Sequence, residues 1–344
     1  MTLAVNLLRW LLLGLVLGLS GCETEQQPIR LSGGVFGTTW SLTYTPGLET
    51  PDPDAVRSAL EGAFNIVNQQ MNHYDPDSTL SVFNRAPVGE FVEVGWDFAY
   101  VLTEAMRISA ATNHAYDITL SPVSDLWGFG PEGPEHVPTD DEILQALQRV
   151  GLDKLEWVPQ ERLLAKRVEG VAIDFSSIAK GYGVDLGADA LDELGVVAYM
   201  LEIGGEIRLR GPSPRGDLWR IAIERPVGTE RRDVQAAVAA TDTGIATSGD
   251  YRNFFEVDGV RYSHLLDPRS GRPIQHDLVS VTVIHPSTAI ADAWATALIV
   301  LGYDAARALA DEQDLAVYFV RHGDAGFGVE WTEPMANYLV TDGR

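Results

Sequence analysis

Asp292 and Thr296 lie four residues apart in the run ADAWATA, so on a helix their oxygens face the same way. A carboxylate beside a hydroxyl suits a hard cation such as Mg²⁺, which takes few protein ligands and completes its shell with water and substrate phosphate. A second group, Asp174, Ser177 and Lys180, sits where the apolar run Val171-Ala172-Ile173 gives way to a helical pattern. A strand-to-helix junction aims backbone N–H groups at an anion; Lys180 adds a neutralising charge, and Ser177 either caps the helix or gives an oxygen to a metal. A third group closes the stretch from Ala246 to Pro273, whose two strand-like halves meet at Asp258-Gly259, a two-residue hairpin signal. Its second half delivers Tyr262, Ser263, His264 and Asp267 ahead of Pro268 and Gly271, which end the strand. Singly, each group also reads as ordinary structure: a helix cap, a solvent-facing pair, a hydrogen-bonded histidine.

The elements that must position these residues follow from periodicity. Gly37 to Tyr44 alternates as a strand opening on a glycine, and Asp52-Pro53 caps a helix along which Val56, Leu60, Ala63, Val67 and Met71 recur. Asp77 or Ser78 caps a short second helix, and a longer one covers Asp97 to Thr112. Thr139 to Glu142 is a capping box opening a helix that stops at Gly151. Two strands are expected between Leu155 and Asp174, the second ending in Val171 to Asp174, before a helix from Ile178 to about Glu193. Tyr199 to Ile203 and Glu206 to Arg210 alternate about Gly204-Gly205 as a second hairpin; Trp219 to Glu224, Val234 to Ala240 and Leu278 to His285 read as strands. Ser287 caps a helix running to Leu301, and two or three short strands close the chain. Strands in runs and hairpins, without regular strand–helix alternation, define an α+β fold with mostly antiparallel sheets and packed helices.

A formal net charge of −24 disfavours nucleic acid and anionic lipid as partners. A pyrophosphate ligand would need local positive charge from a metal, a lysine or a helix N-terminus. The first 22 residues read as a leader: Arg9, an apolar run from Trp10 to Leu19 that falls short of the roughly 20 residues a bilayer span needs, then Leu19-Ser20-Gly21-Cys22. That tetrapeptide looks like a bacterial lipobox, which implies cleavage before Cys22, the sole cysteine, and a lipid on its sulfur. Glu23 to Arg30 reads as a tether, and residues 31–344 as one domain.

Several motifs in one order then resemble one family. TSGDYRNFF followed by YSHLLDPRSGRP, Asp117-x-Thr119-x-x-Pro122, Trp127-Gly128-Phe129-Gly130, and Asp174, Ile178, Lys180, Gly181 and Asp185 in a DxxxIxKGxxxD pattern resemble the ApbE family of FAD:protein FMN transferases across roughly residues 33 to 303. The resemblance implies two lobes around a flavin-nucleotide cleft, with Phe36, Tyr74, Ala115, Tyr116, Asp117, Asp174, Lys180 and Leu265 against FAD. Phe36 stands where many relatives have methionine. It further implies Ser177, Asp292 and Thr296 as Mg²⁺ ligands; Ala295, where many relatives are acidic, offers only a backbone carbonyl. Under this resemblance His264 is the candidate general base, its ordinary pKa of about 6.5 suiting proton transfer near neutrality. The implied reaction moves FMN from FAD to a Thr or Ser hydroxyl of an acceptor protein and releases AMP. The implied acceptor is a membrane electron-transport subunit, and the implied location is the periplasmic side of the inner membrane. Two alternatives remain at this stage, an FAD pyrophosphatase using water and a lipid-anchored flavin-binding protein without catalysis.

Overall fold

The computed structural model describes residues 27–47, 50–130, 136–226, 233–250, 254–257, 259–323 and 326–340; the leader, Cys22 and Asp258 lie outside them. Eight strands build the central sheet: β1 (Ile29–Val35), β2 (Thr38–Tyr44), β3 (Tyr199–Ile203), β4 (Glu206–Arg210), β5 (Thr243–Gly249), β6 (Leu278–His285), β7 (Ala316–Gly323) and β8 (Gly326–Trp331). Their order across the sheet is their order along the chain, and every neighbouring pair is antiparallel. The helices are α1 (Pro53–Met71), α2 (Thr79–Arg85), α3 (Trp96–Ala111), α4 (Ser121–Leu126), α5 (Asp140–Leu147), α6 (Ala179–Glu193), α7 (Thr288–Leu301) and α8 (Tyr303–Glu312). This is the α+β, mostly antiparallel architecture that the sequence implies.

The core is centred on α7, whose alanine-rich surface is buried nearly all round and lies on β5 and β6. Small side chains let backbones approach. A Cβ on Gly181 of α6 would stand 2.5 Å from the Thr288 carbonyl oxygen and 2.8 Å from Ala289 Cα, so glycine there is a packing requirement. The N-terminus of α7 is held from outside its own chain segment. Asp185 of α6 accepts from Ser287 Oγ (2.7 Å), Thr288 N–H (2.8 Å) and Ala289 N–H (3.0 Å). A carboxylate there satisfies orphan donors and complements the helix dipole. The cap and the glycine contact fix the rotation of α7, and with it the direction of Asp292 and Thr296.

Several boundaries differ from the sequence reading. Ile29 and Arg30, read as the end of a tether, begin β1 and pair with Tyr44 and Thr43. Val171 to Asp174 is not a strand; the second strand of that region is Leu163–Lys166. The Asn84 side chain accepts from Ile173 N–H and donates to Ile173 C=O, both at 2.8 Å, and Asp174 N–H donates to Ile118 C=O at 2.8 Å. A distant amide thus serves backbone groups that a strand partner would have served. Helix α5 stops at Leu147 rather than Gly151, and the strand bearing Tyr262 ends at Ser263, giving way to a tight hairpin of Leu266–Asp267 with Arg272–Pro273. The close of the chain is a helix, α8, followed by two strands of eight and six residues, in place of strands alone.

Candidate functional site

Lys180 stands at the second position of α6, straight after the irregular turn from Phe175 to Ile178. Its Nζ lies 2.9 Å from Glu206 Oε1 and 3.5 Å from Asp292 Oδ2. Both acids are buried, at 4% and 3% exposure. Asp292 Oδ2 also accepts the Gly181 backbone N–H at 3.1 Å, so the close α6–α7 approach is what brings lysine and aspartate together. Burial alone would lower the Lys180 pKa, but Asp292 and Glu206 outweigh it and raise it, so the ammonium keeps its charge. Burial pushes both carboxyls up, Glu206 to about 7, with Lys180 pulling the other way.

Oxygen donors gather beside this cluster. Ser177 Oγ donates to the Tyr116 hydroxyl at 2.9 Å, and the charges of Asp292, Asp174 and Asp117 all act on Tyr116, which places α7, the Asp174–Lys180 stretch and the Tyr116–Asp117 stretch side by side. Burial raises the pKa of Tyr116 and holds the ring hydroxyl protonated. Asp117 is buried, accepts from the Thr119 N–H and hydroxyl at 2.8 and 2.6 Å, and is likewise pushed up by burial. Thr296 is one turn beyond Asp292, and its Oγ1 is 3.1 Å from Ser248 Oγ. Ser177, Asp292 and Thr296 offer oxygen only, with one carboxylate, which fits a hard cation completed by water and phosphate. Among the described residues no group of three or more His, Cys, Asp or Glu side chains is placed to hold a metal. Ala295 is fully buried.

The ring-binding candidates lie around this cluster. Phe36 occupies the left-handed region with φ 50 beside Gly37 at φ 73, so β1 and β2 are joined by a two-residue turn of the twist that hairpins favour. Its ring packs where a Gly183 side chain would lie and meets Phe64 edge-on at 6.2 Å. Tyr74 is 68% exposed, its ring tilted against that of His73 with centroids 4.0 Å apart, and His73 Nδ1 is 3.3 Å from Asp174 Oδ2. Ala115 and Leu265 are buried in the same apolar cluster as Tyr116 and α7. His264 is half-buried and meets Phe129 edge-on at 6.3 Å. Tyr262, two residues before it, stacks on Phe255 and packs at a tilt against Trp127, so this face of the hairpin is pinned by aromatic rings. Alternation turns Arg261 and Ser263 to the other face, where with Asp250 and His276 they line a concavity of about 540 Å³. A second concavity, about 360 Å³, is lined by Tyr100, Tyr182, Asp185 and Arg208. Neither contains Lys180 or Asp292, and it is chemistry rather than volume that marks the site.

Sequence reasoning missed Glu206 and His73. A signal for Glu206 exists: across the Gly204-Gly205 turn it pairs with Ile203, so it must share the core-facing side of that residue. Nothing in the local spacing links His73 to Asp174.

A single lysine between buried acids, hydroxyls one turn away and an open tyrosine ring suit an enzyme that handles phosphate groups on a ring-bearing ligand. Comparison with known proteins sharpens that class: the chain belongs to the ApbE family, whose model matches residues 36–319. It is 42% identical over 318 residues to a Haemophilus influenzae protein named FAD:protein FMN transferase, covering 91% of this chain and 92% of the relative. Its fold is similar to the flavin transferase ApbE from Vibrio cholerae, with TM-score 0.85 and 39% identity, covering 91% of this chain and 99% of that one. The apo flavinyl transferase ApbE from Pseudomonas stutzeri gives TM-score 0.82 and 38% identity, covering 90% and 96%.

Proposed function

We propose that this chain transfers FMN from FAD to a Thr or Ser hydroxyl of an acceptor protein, with Mg²⁺ bound at Ser177, Asp292 and Thr296. The single observation that carries the reading is Lys180 held against Asp292 in the first turn of α6, in a chain whose relatives bear that activity in their names. The acceptor oxygen attacks the phosphorus on the riboflavin side. A new P–O bond forms, the P–O bond to AMP breaks, and the hydroxyl proton passes to His264, the candidate base. Bound Mg²⁺ would supply charge neutralisation at the pyrophosphate oxygens. Lys180 adds a fixed positive charge, Asp174 and Asp117 contact the nucleotide, and Phe36, Tyr74, Ala115, Tyr116 and Leu265 flank it. Most of the catalysis is positioning and electrostatics, as in other phosphoryl transfers.

The same proposal places the protein on the periplasmic side of the inner membrane, held by a lipid on Cys22 and acting on a membrane electron-transport subunit. Among the described residues no helix is long and apolar enough to cross a membrane, so a Cys22 lipid would be the anchor. The test uses the form lacking residues 1–22 with FAD, Mg²⁺ and a Thr-containing acceptor domain, read by intact mass and AMP. An acceptor heavier by one FMN with matching AMP, both lost on adding EDTA, is the expected result. AMP and free FMN without an adduct would move the reading to the pyrophosphatase, and neither product to a flavin carrier.

A further inference from the structure

Glu206 has no place in the motifs or in the reaction as described, yet it is a buried acid at the centre of the site. The turn before it needs glycine twice, at φ 61 and 110, and the Ile203–Glu206 pairing then directs its side chain inward. Oε1 accepts from Lys180 Nζ, while Oε2 is buried and has no hydrogen-bond partner. Unpaired buried oxygens are uncommon because each forfeits its hydration. Meanwhile Asp292, the one carboxylate among the candidate metal ligands, shares the same ammonium. A dication arriving at Asp292 therefore meets a lysine already there, which repels it and occupies one of its acceptors.

We propose that Glu206 is a positioning residue that takes Lys180 from Asp292 when a divalent cation binds, so that lysine and metal stand side by side instead of competing. The inference rests on the reading that a divalent cation binds at Asp292 and Thr296. The spare Oε2 is the acceptor for the N–H that Lys180 withdraws from Asp292. An ammonium on a flexible stem with three donors makes that transfer by rotation of its last torsions, whereas a planar guanidinium would not. The turn lies directly against the lysine stem: a Cβ on Gly204 would touch Lys180 Cδ at an ordinary 3.5 Å and crowd Thr38 Cγ2 at 3.0 Å.

A double-mutant cycle read by Mn²⁺ binding in the absence of FAD, by calorimetry or electron paramagnetic resonance, tests this. Glu206→Gln keeps the shape but weakens the pull on Lys180, and it is expected to weaken Mn²⁺ binding about tenfold, within the range of coupling between neighbouring side chains. Lys180→Met binds Mn²⁺ at least as tightly as the unaltered protein. In that background Glu206→Gln changes the affinity by less than about twofold, because there is no lysine left to hold. An equal weakening with and without Lys180 would show that Glu206 acts on the metal only as a distant charge, and would overturn the inference. Glu206→Asp retains the charge and retracts it by one methylene. It is expected to behave like Glu206→Gln, it carries the test if the glutamine variant does not fold, and full affinity in this variant also overturns the proposal. Absence of Mn²⁺ binding in the unaltered protein would instead overturn the metal-site reading itself.

Discussion

Lys180→Met lowers transfer by about 10²–10³-fold, the range seen when one preorganised donor is removed from developing charge. The same change leaves Glu206 and Asp292 buried without their shared cation. Removing one partner of a buried ion pair costs about 3–5 kcal/mol, and the partial exposure of the lysine, 30%, places this case near the lower end. The sign of the pH dependence follows from both acids being raised. A carboxyl whose folded pKa lies above its unfolded value binds its proton more tightly when folded. Its stabilising contribution is complete below the unfolded pKa and disappears as pH rises through the folded one. Without Lys180 those folded values climb further, so the variant is near the stability of the unaltered protein at pH 5 and falls behind it by pH 8. Urea unfolding of metal-free protein at the two pH values measures this, and a pH-independent difference would contradict it.

Gly181→Ala is expected to destabilise by about 3 kcal/mol, at the upper end for inserting a methyl into packed surroundings. The atoms it meets are backbone, Thr288 O and Ala289 Cα, and cannot swing aside as a side chain does. Forcing α6 from α7 also breaks the Gly181 N–H to Asp292 bond, so activity falls with stability. Gly62→Ala on the exposed side of α1 is the control: a Cβ there meets nothing within 4 Å, and helix propensity makes it stabilising by up to about 1 kcal/mol. Equal unfolding midpoints for the two variants would contradict this account of the α6–α7 contact.

Spacing was a sufficient guide wherever a residue's role is set by its own element. Asp292 and Thr296 share a helix face because they lie four apart, and Ser287 caps α7 as its position implies. It was insufficient where a distant partner decides. Asn84 replaces a strand at Ile173, and Asp185, noted as part of a motif, turns out to cap a helix about a hundred residues downstream. β1 was hidden because Gly33 and Gly34 dilute its alternation, and α8 because Gly302 at φ 77 separates it from α7 by a single residue. Glu206 shows the intermediate case: the hairpin was legible, but which face of it meets Lys180 depends on how α6 packs.

In the proposed reaction, metal and FAD pyrophosphate meet at Asp292 and Lys180. Anomalous scattering from crystals soaked with Mn²⁺ and FAD tests it most directly. One strong peak bonded to Asp292 and Thr296 is expected, with Lys180 Nζ within hydrogen-bond distance of a phosphate oxygen. A peak at the Asp250–His276 concavity, with Lys180 still bridging Glu206 and Asp292, would contradict it.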